Sequence, residues 1–259
     1  MSLSSPPGTA LITGVGRRRS IGAGLALGLA RDGWDLVLNH WDEYDERVGL
    51  ERAASDPHDI AAACRAEGVA VTVIGSDLSD PDVPERLVAA ASASGPLRAL
   101  VMSHCESVDS SILSTDIASF DRHFAVNARA TWLLIKAFAE RLPQRAAGGE
   151  VAGSVIALTS DHTAHNLPYG ASKGALDRIV IAAAAELGER GMRANVINPG
   201  PIDTGWMDAD IRRRAREATP AGRLGTPDDI ANTVRFLLSP EGSWVNGQLL
   251  KVNGGFATG

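Results

Sequence analysis

"TALITGVGRRRSIGAGLALGLARDG", residues 9–33, begins as a short apolar strand and continues as an apolar helix. The strand ends at Thr13 and Gly14, and the helical pattern follows Ile21. A tight turn between a strand and a helix N-terminus can hold the phosphates of a dinucleotide, because backbone N–H groups point outward there. Three arginines and a serine stand in this turn where glycines are typical. The stretch predicts either a phosphate-binding turn with an altered loop or a surface turn of similar pattern.

Short apolar runs alternate with longer helical patterns along the rest of the chain, which is typical of a parallel sheet covered by helices on both faces. The candidate strands cover residues 9–13, 34–39, 69–74, 98–103, 153–159, 193–198 and 248–252. We therefore predict an α/β fold with one doubly wound Rossmann-type domain over residues 1–259 and a parallel sheet of roughly seven strands. Residues 41–57 form a long polar insert after the second strand, and we expect it beside the adenine end of a nucleotide.

The composition excludes several classes of protein. Acidic residues outnumber basic ones, 31 against 25, and the net charge of −6 gives no support to nucleic-acid binding. The two cysteines, Cys64 and Cys105, lack the spacing of a metal site, so we predict no metal. The N-terminal segment MSLSSPPG has no apolar run of the signal-peptide type, and no stretch reaches the roughly 18 to 20 apolar residues that cross a bilayer. We expect a cytoplasmic protein without a membrane partner.

The segment PYGASKGAL places Tyr169 four positions before Lys173. One helical turn separates the two residues, so their side chains lie on the same face near a helix start, and Pro168 suits the first turn of that helix. The sequence holds only two tyrosines, which makes a chance pair rare. This pair therefore points to chemistry that uses a phenol and an ammonium together.

At this pair the chain resembles the short-chain dehydrogenase/reductase family, and the resemblance covers nearly the whole length. The other motifs stand in the family's order: Thr13-Gly14 with Gly22, Asp77-Leu78, VNARA with Asn127, Ser160, NPGPIDT (198–204), GRLGTPDDIA (222–231) and VNGG (252–255). The pattern is most similar to the 3-oxoacyl-carrier-protein reductase branch. The resemblance implies an NAD(P)H-dependent oxidoreductase that interconverts a small-molecule carbonyl and alcohol. It also implies a homotetramer or homodimer.

The resemblance assigns roles to single residues. It implies that Tyr169 is the acid/base, that Lys173 holds the nicotinamide ribose, that Ser160 positions the substrate oxygen and that Asn127 orders a water molecule. The cofactor-binding residues that it implies are Thr13, Gly14, Ser20, Ile21, Gly22, Asp77, Leu78, Ser103, Lys173, Pro199, Gly200, Ile202 and Thr204. Residues 203–220 fall where the family has a mobile substrate lid.

The chemistry also sets an expectation for the phenol. A free phenol has a pKa near 10 and exchanges protons poorly at neutral pH. A lysine ammonium about 4 Å away contributes roughly 4 kcal/mol at an effective dielectric constant near 20. We therefore expect Lys173 to lower the pKa of Tyr169.

Two segments depart from the family pattern. Ser160 precedes Tyr169 by nine residues, fewer than is usual in the family, so we expect a short loop and a more open substrate pocket. Thr159 replaces Ser160 if the register slips by one, although a slip turns the side chain to the other face of the strand. Residues 102–105, Met-Ser-His-Cys, stand where the family has Asn-Asn-Ala-Gly, and we expect their backbone to keep its role.

The choice between NADP and NAD depends on the end of the second strand. An acid there would bind the ribose 2′-hydroxyl and repel a 2′-phosphate, but the sequence reads His40-Trp41 and has no acid before Asp42. We expect His40 and Trp41 to be cofactor-binding residues at this position. Arg17, Arg18 and Arg19 could supply the charge for a 2′-phosphate. We favour NADP(H), with NAD(H) as the alternative if the arginines form a solvated turn.

Other features leave alternatives open. His162 and His165 can contact substrate or lie on the surface, and the arginines at 212–214 can attract an anionic substrate or form a solvated helix face. An enoyl-thioester reductase is a second enzyme hypothesis, because the first loop resembles that group. A non-catalytic nucleotide-binding regulator is a third hypothesis, from another class of protein.

Overall fold

The computed structural model of the chain describes residues 7–142 and 151–256. Seven strands in these ranges form one parallel sheet in the order β3-β2-β1-β4-β5-β6-β7. The strands are β1 Thr9–Thr13, β2 Asp35–His40, β3 Val71–Gly75, β4 Leu97–Met102, β5 Gly153–Leu158, β6 Met192–Asn198 and β7 Leu249–Lys251. The predicted doubly wound α/β fold is confirmed. The first six residues of the N-terminal segment MSLSSPPG lie outside the described residues.

The helices lie between the strands and after β6. They are α1 Ile21–Arg31, α2 Asp42–Arg47, α3 Asp56–Ala66, α4 Val83–Ser94, α5 Ile117–His123, α6 Ala130–Arg141, α7 Leu167–Glu186, α8 Ala209–Glu217 and α9 Pro227–Leu238. A π-helix, Phe124–Arg129, joins α5 to α6, and two short 3-10 helices cover Gly188–Arg190 and Pro240–Gly242. No helix in the described ranges is both long and apolar enough to cross a membrane.

Two apolar layers cover the sheet. Helices α1, α3 and α9 pack on one face and share a core with Leu25, Ile60 and Val234. Helices α4, α6 and α7 pack on the other face around residues such as Phe138 and Val180. Strands β5 and β6 are buried along their whole length, as expected for a parallel sheet covered on both sides.

One buried charge belongs to this packing. The guanidinium of Arg193 on β6 donates to the carbonyl oxygens of Leu237 and Gly242, both at 2.8 Å, and to Ser154 Oγ at 2.9 Å. Because the last carbonyls of a helix have no partner inside the helix, Arg193 satisfies the carboxyl end of α9.

Three segments have more structure than the sequence pattern predicted. The helical pattern before residue 142 is interrupted by the π-helix, a form that is common at functional sites. The polar insert 41–57 contains α2 and the first two residues of α3. The segment 203–220 contains α8, which has no buried residue.

Candidate active site

The candidate site lies at the carboxyl ends of β1 and β4, where the strand order reverses. Folds of this type bind ligands at that point. A cavity of about 220 Å³ opens there. Twelve predicted site residues line it: Gly14, Arg17, Ser20, Ile21, Trp41, Asp77, Leu78, Ser103, Tyr169, Lys173, Pro199 and Thr204.

The turn between β1 and α1 is built on two close backbone approaches. Gly14 has a φ of +77°, and a Cβ placed on it would lie 2.7 Å from the backbone nitrogen of His104. A Cβ on Gly22 would lie 2.4 Å from the carbonyl oxygen of Gly14. Ser20 caps α1, since its Oγ accepts from the backbone N–H of Ala23 at 3.0 Å. The N-terminus of α1 thus reaches the cavity, which fits the phosphates of a dinucleotide.

A buried histidine fixes the other side of this turn. The Thr13 hydroxyl donates to His104 Nδ1 at 2.6 Å, and His104 Nε2 donates to the carbonyl oxygen of Val126 at 3.1 Å. Burial lowers the pKa of His104 to about 3, and the nearby Lys173 ammonium acts in the same direction. The imidazole is therefore neutral and ties β1 to the π-helix. Thr13, a predicted cofactor residue, supports the wall without lining the cavity.

Of the three arginines in the turn, only Arg17 lines the cavity. Its Nε donates to Asp45 Oδ1 at 3.2 Å, and its Nη1 donates to the carbonyl oxygen of Thr204 at 2.9 Å. Arg17 therefore links the turn to α2 and to the segment after β6.

Arg18 and Arg19 point to other partners. Arg18 is 63% exposed and pairs with Asp56 and Asp59 at the start of α3. Arg19 pairs with Asp203 at 2.9 Å. The structure places both arginines outside the cavity because these neighbouring carboxylates hold their guanidinium groups.

The residues expected to carry out the chemistry lie around the start of α7. Ser160, which follows β5, lies close enough to Tyr169 for its hydroxyl to lower the pKa of the phenol. Lys173 Nζ donates to the carbonyl oxygen of Leu158 at 2.8 Å and lies 5.8 Å from the centre of the Tyr169 ring. The structure therefore brings the phenol, the hydroxyl and the ammonium together.

The expected lowering of the Tyr169 pKa by Lys173 does not occur. Burial raises the pKa of Tyr169, Cys105 adds to the rise, and the nearby Ser160 hydroxyl only partly opposes it. Burial also lowers the pKa of Lys173. The physical reason is that burial disfavours the phenolate more than its polar surroundings favour it, while the ammonium donates to Leu158.

Asn127 lies in the π-helix and has its side chain fully occupied by protein groups. Its Nδ2 donates to the carbonyl oxygen of Glu106 and to Ser172 Oγ, both at 2.9 Å. Its Oδ1 accepts from the backbone N–H of Glu106 at 2.8 Å. Asn127 does not line the cavity, and its side chain fixes the chain after β4 and the helix that carries Lys173.

Five other predicted residues also stand behind the cavity wall or beside it. Ser160 reaches Tyr169 but does not line the cavity, whereas Thr159 does. His40 pairs with Asp42 at 2.7 Å, and Gly22 packs against Gly14. Gly200 has a φ of +62° and packs against Asn253, and Ile202 is buried and pairs with Gly225.

The short loop between Ser160 and the start of α7 is exposed at residues 161–165. His162 Nε2 donates to the carbonyl oxygen of Ala164 at 3.1 Å, and His165 adopts a left-handed φ of +63°. The described residues contain no cluster of three or more His, Cys, Asp or Glu side chains placed to hold a metal ion. In α8, Arg213 pairs with Asp210 and Glu217, while Arg212 reaches Asp203.

Comparisons with known proteins agree with this geometry. Residues 14–257 match a family model described as "Enoyl-(Acyl carrier protein) reductase". The chain is 32% identical to an NADPH-dependent aldehyde reductase-like chloroplastic protein of Arabidopsis thaliana, covering 98% of both chains. It is also 32% identical to a short-chain type dehydrogenase/reductase of Picea abies, covering 95% of this chain and 91% of the relative. The chain belongs to the short-chain dehydrogenase/reductase family.

A solved structure supports the same assignment. A blue fluorescent protein from a metagenomic library, in complex with NADPH, has a TM-score of 0.81 and 30% identity, with 96% of this chain and 98% of that chain covered. The protein is accordingly an NAD(P)-dependent oxidoreductase, as the sequence motifs predicted.

Within this family framework, several cavity residues escaped the sequence prediction. Tyr44 and Asp45 come from α2, Cys105 and Glu106 follow β4, and Arg122 comes from α5. The insert was expected beside the nucleotide, so its position could have identified α2. No sequence signal identified Arg122, whose place depends on how α5 packs.

These residues form a charged network at the adenine end. Glu106 is only 2% exposed in its side chain, and it accepts from Arg47 at 2.6 and 2.7 Å and from Arg122 at 3.1 Å. Arg122 also pairs with Asp77 at 3.2 Å. Asp77, a predicted cofactor-binding residue, is thus connected to the chain after β4.

Proposed function

We propose that this protein is an NADP(H)-dependent reductase of small aldehydes or ketones, or an alcohol dehydrogenase when the reaction runs in reverse. The observation that carries the proposal is the contact of Ser160 with Tyr169, beside Lys173 and next to the glycine turn. These groups place an acid where a carbonyl oxygen can meet it. The 3-oxoacyl-type substrate suggested by the sequence pattern is one member of this substrate class.

The chain's residues would supply the proton and the orientation. The nicotinamide cofactor supplies only a hydride. Tyr169 donates the proton to the carbonyl oxygen, and its raised pKa keeps the phenol protonated at neutral pH. Ser160 orients the phenol and the substrate oxygen. Lys173 has donors beyond the one given to Leu158, and these suit ribose hydroxyls.

The direction of the reaction follows from the same pKa. Reduction needs a protonated Tyr169, whereas oxidation of an alcohol needs the phenolate. Because burial raises the pKa of Tyr169, we propose that reduction proceeds at neutral pH and that oxidation gains speed only as the pH rises.

For Asn127 we propose a positioning role first. Its amide holds Glu106 and Ser172, and Ser172 is the neighbour of Lys173. The water-ordering role that the family resemblance implies stays a prediction.

The cofactor residues would divide along the cleft. Gly14, Ser20 and Ile21 would face the pyrophosphate, Asp77 and Leu78 the adenine, and Pro199 and Thr204 the nicotinamide. Arg17 is the member of the arginine run that lines the cavity, and it would face a 2′-phosphate. The NADPH named for the Arabidopsis relative and for the solved complex supports NADP(H).

We also propose a homodimer or homotetramer through α6 and α7. Exposed aromatic side chains near this face support it, since Trp132 on α6 is 51% exposed and Phe120 on α5 is 38% exposed. A lid role for residues 203–220 and a cytoplasmic location remain proposals from the sequence pattern.

One assay tests the proposed function. Purified protein is mixed with NADPH or NADH and a panel of aldehydes, ketones and enoyl thioesters, and the loss of reduced-cofactor absorbance is followed. We expect turnover of carbonyls with NADPH preferred. Turnover of enoyl thioesters alone would establish the enoyl hypothesis, although the three-residue gap between Tyr169 and Lys173 does not favour it. Binding without any turnover would indicate a regulator.

A further inference from the structure

Helix α2 crosses the cleft and contacts both of its walls. The helix is short, Asp42–Arg47, and forms the start of the polar insert. Two of its side chains, Tyr44 and Asp45, line the cavity together with the glycine turn and the chain after β4. The helix therefore covers the part of the cleft that faces the end of β2.

On the β1 side, Asp45 covers the phosphate-binding turn. Its Oδ1 accepts from Arg17 Nε at 3.2 Å. Its Oδ2 would lie 2.9 Å from a Cβ placed on Gly16, so the carboxylate lies directly over the turn. Asp45 is 6% exposed, and the Arg17 side chain is 13% exposed. This ion pair holds α2 against the first wall.

On the β4 side, two other contacts hold the helix. Arg47 donates to both carboxylate oxygens of Glu106, at 2.6 and 2.7 Å. The Tyr44 hydroxyl donates to the carbonyl oxygen of Ser107 at 3.4 Å. These contacts join α2 to the opposite wall.

The cavity under α2 is small for the ligand that the proposed function requires. Its volume is about 220 Å³, whereas pockets for drug-sized ligands measure about 300–1,000 Å³. A nicotinamide dinucleotide is larger than a drug-sized ligand, so this cavity accommodates only part of it. A second cavity of about 720 Å³ shares Trp41, Asp77 and Arg122 with it and is also lined by residues of α2. A cofactor that extends through both cavities passes α2, so α2 restricts its entry while the helix contacts both walls.

The two attachments differ in what can compete with them. The 2′-phosphate of NADP(H) carries more negative charge than a carboxylate and suits a guanidinium fork, so it competes with Asp45 for Arg17. Burial raises the pKa of Asp45 even though Arg17 lies beside it, which means that the ionised carboxyl is incompletely stabilised. Glu106 is deeply buried and has a second partner in Arg122, so its pair with Arg47 has no such competitor.

We propose that α2 is a strap over the cofactor cleft and that Asp45 is a cofactor-specificity residue. The 2′-phosphate of NADP(H) takes Arg17 from Asp45 and releases the strap on the β1 side, which NAD(H) does not do. The Arg47 pair with Glu106 limits the entry of either cofactor. This inference rests on the proposed function only for the nature of the ligand.

Binding measurements test the Asp45 part. The dissociation constants of NADPH, NADH, adenosine 2′,5′-bisphosphate and adenosine 5′-phosphate are measured for the wild type and for Asp45→Asn. We expect the variant to bind both 2′-phosphorylated ligands about fivefold more tightly or better, with the other two changed by less than about twofold. Glu46→Gln is the matched control, since Glu46 lies on the same helix and pairs with Arg52 instead of Arg17. The control should leave all four constants unchanged.

Stopped-flow binding of the intact protein tests the strap. Arg47→Gln should raise the association rates of NADPH and NADH alike, by about threefold or more, while the ratio of the two affinities stays constant. This variant alters an exposed side chain, so it keeps the test independent of whether Asp45→Asn folds. Melting temperatures check the folding of each variant.

Specific outcomes overturn the inference. If Asp45→Asn weakens the binding of NADH and leaves the binding of NADPH unchanged, Asp45 is a ribose-binding acid and does not compete with the 2′-phosphate for Arg17. If Arg47→Gln changes neither association rate, α2 is a fixed part of the wall. A wild type that binds cofactor but reduces no carbonyl overturns the proposed function alone, and a wild type that binds neither cofactor overturns both.

Discussion

At the catalytic end of the cleft, Ser160 lies beside Tyr169, and the Lys173 ammonium donates to the carbonyl oxygen of Leu158. At the adenine end, Asp45 and Glu106 are held by arginines. Among the described residues no carboxylate lies within ion-pair distance of the Lys173 ammonium, and Asp177 acts on it only from farther away. The arrangement at the adenine end consists of ion pairs, and an incoming phosphate can take Arg17 from Asp45. The contrast indicates that the reacting groups are in place before the cofactor binds, whereas the contacts at the cofactor-binding end can rearrange on binding.

The sharpest test of the catalytic end is Tyr169→Phe. Removing the hydroxyl removes the proton donor, and such donors contribute about 10²–10⁴-fold. We expect kcat/KM for carbonyl reduction to fall about a thousandfold, with the dissociation constant of NADPH unchanged within about twofold. Steady-state kinetics and a fluorescence titration measure the two quantities. Retention of more than about a tenth of the activity would assign the proton to another group.

The glycine turn between the two ends should be the least tolerant of substitution. Gly14→Ala combines a left-handed φ with a Cβ 2.7 Å from the His104 nitrogen. We expect the free energy of unfolding to fall by more than about 3 kcal/mol, measured by urea denaturation. Gly49→Ala is the matched control, because Gly49 has a φ of +68° but no atom within 4 Å of an added Cβ. For Gly49→Ala we expect the free energy of unfolding to fall by about 1 kcal/mol, from backbone strain alone. Equal losses would show that the close approach is unimportant.

The neutral imidazole of His104, buried beside the glycine turn, should make the stability of the protein depend on pH. The pKa of His104 is about 3 in the folded chain, below the ordinary value near 6.5, so the unfolded chain binds the proton more readily. The stability that comes from keeping His104 neutral is therefore fully present above about pH 6.5. It is lost as the pH falls toward about 3, at about 1.4 kcal/mol per pH unit. His104→Gln removes the titration. We therefore expect its stability deficit relative to wild type to shrink by about 2 kcal/mol between pH 7.5 and 5, measured by urea unfolding. Parallel curves would contradict a neutral His104.

The smallest expected effects are on the KM for NADPH, and they distinguish Arg17 from its neighbour Arg18. Arg17 lines the cavity, so Arg17→Gln should raise the KM for NADPH about tenfold, in line with one lost charge-assisted hydrogen bond. Arg18 points to Asp56 and Asp59, so Arg18→Gln should change that KM by less than about twofold. Initial rates at varied NADPH give both values. Similar effects from the two variants would mean that the turn rearranges when cofactor binds.

The regular parts of this molecule follow from local patterns. Strand β1 has the predicted bounds, and Tyr169 and Lys173 share a helix face because a three-residue gap is one turn in any α-helix. Motif order could also place Asp77 and Pro199 on the cavity wall.

Long-range partners did not follow from local patterns. The sequence cannot tell that Arg18 meets Asp59, or that Lys173 is directed at Leu158, because those distances depend on packing between distant segments. The same reason explains the wrong expectation for the pKa of Tyr169. A pair at helical spacing establishes that two side chains are near, but burial and the exact direction of the ammonium decide the sign of the shift.

The amide of Asn127 supplies Glu106 with both hydrogen bonds that a neighbouring strand would give. The chain after β4 is therefore anchored as if the sheet continued past its last residue. The start of α7 is fastened to this anchored stretch, since Leu167 donates its N–H to the carbonyl oxygen of Ser110 at 3.0 Å and Asn166 reaches Ser107 at 3.1 Å. Tyr169 thus takes its position from the chain in front of it rather than from the loop behind it. Residues 161–165 are exposed, so their side chains can be substituted to rebuild a substrate preference without moving the acid, as long as the backbone of His162 keeps its close contact with Gly170.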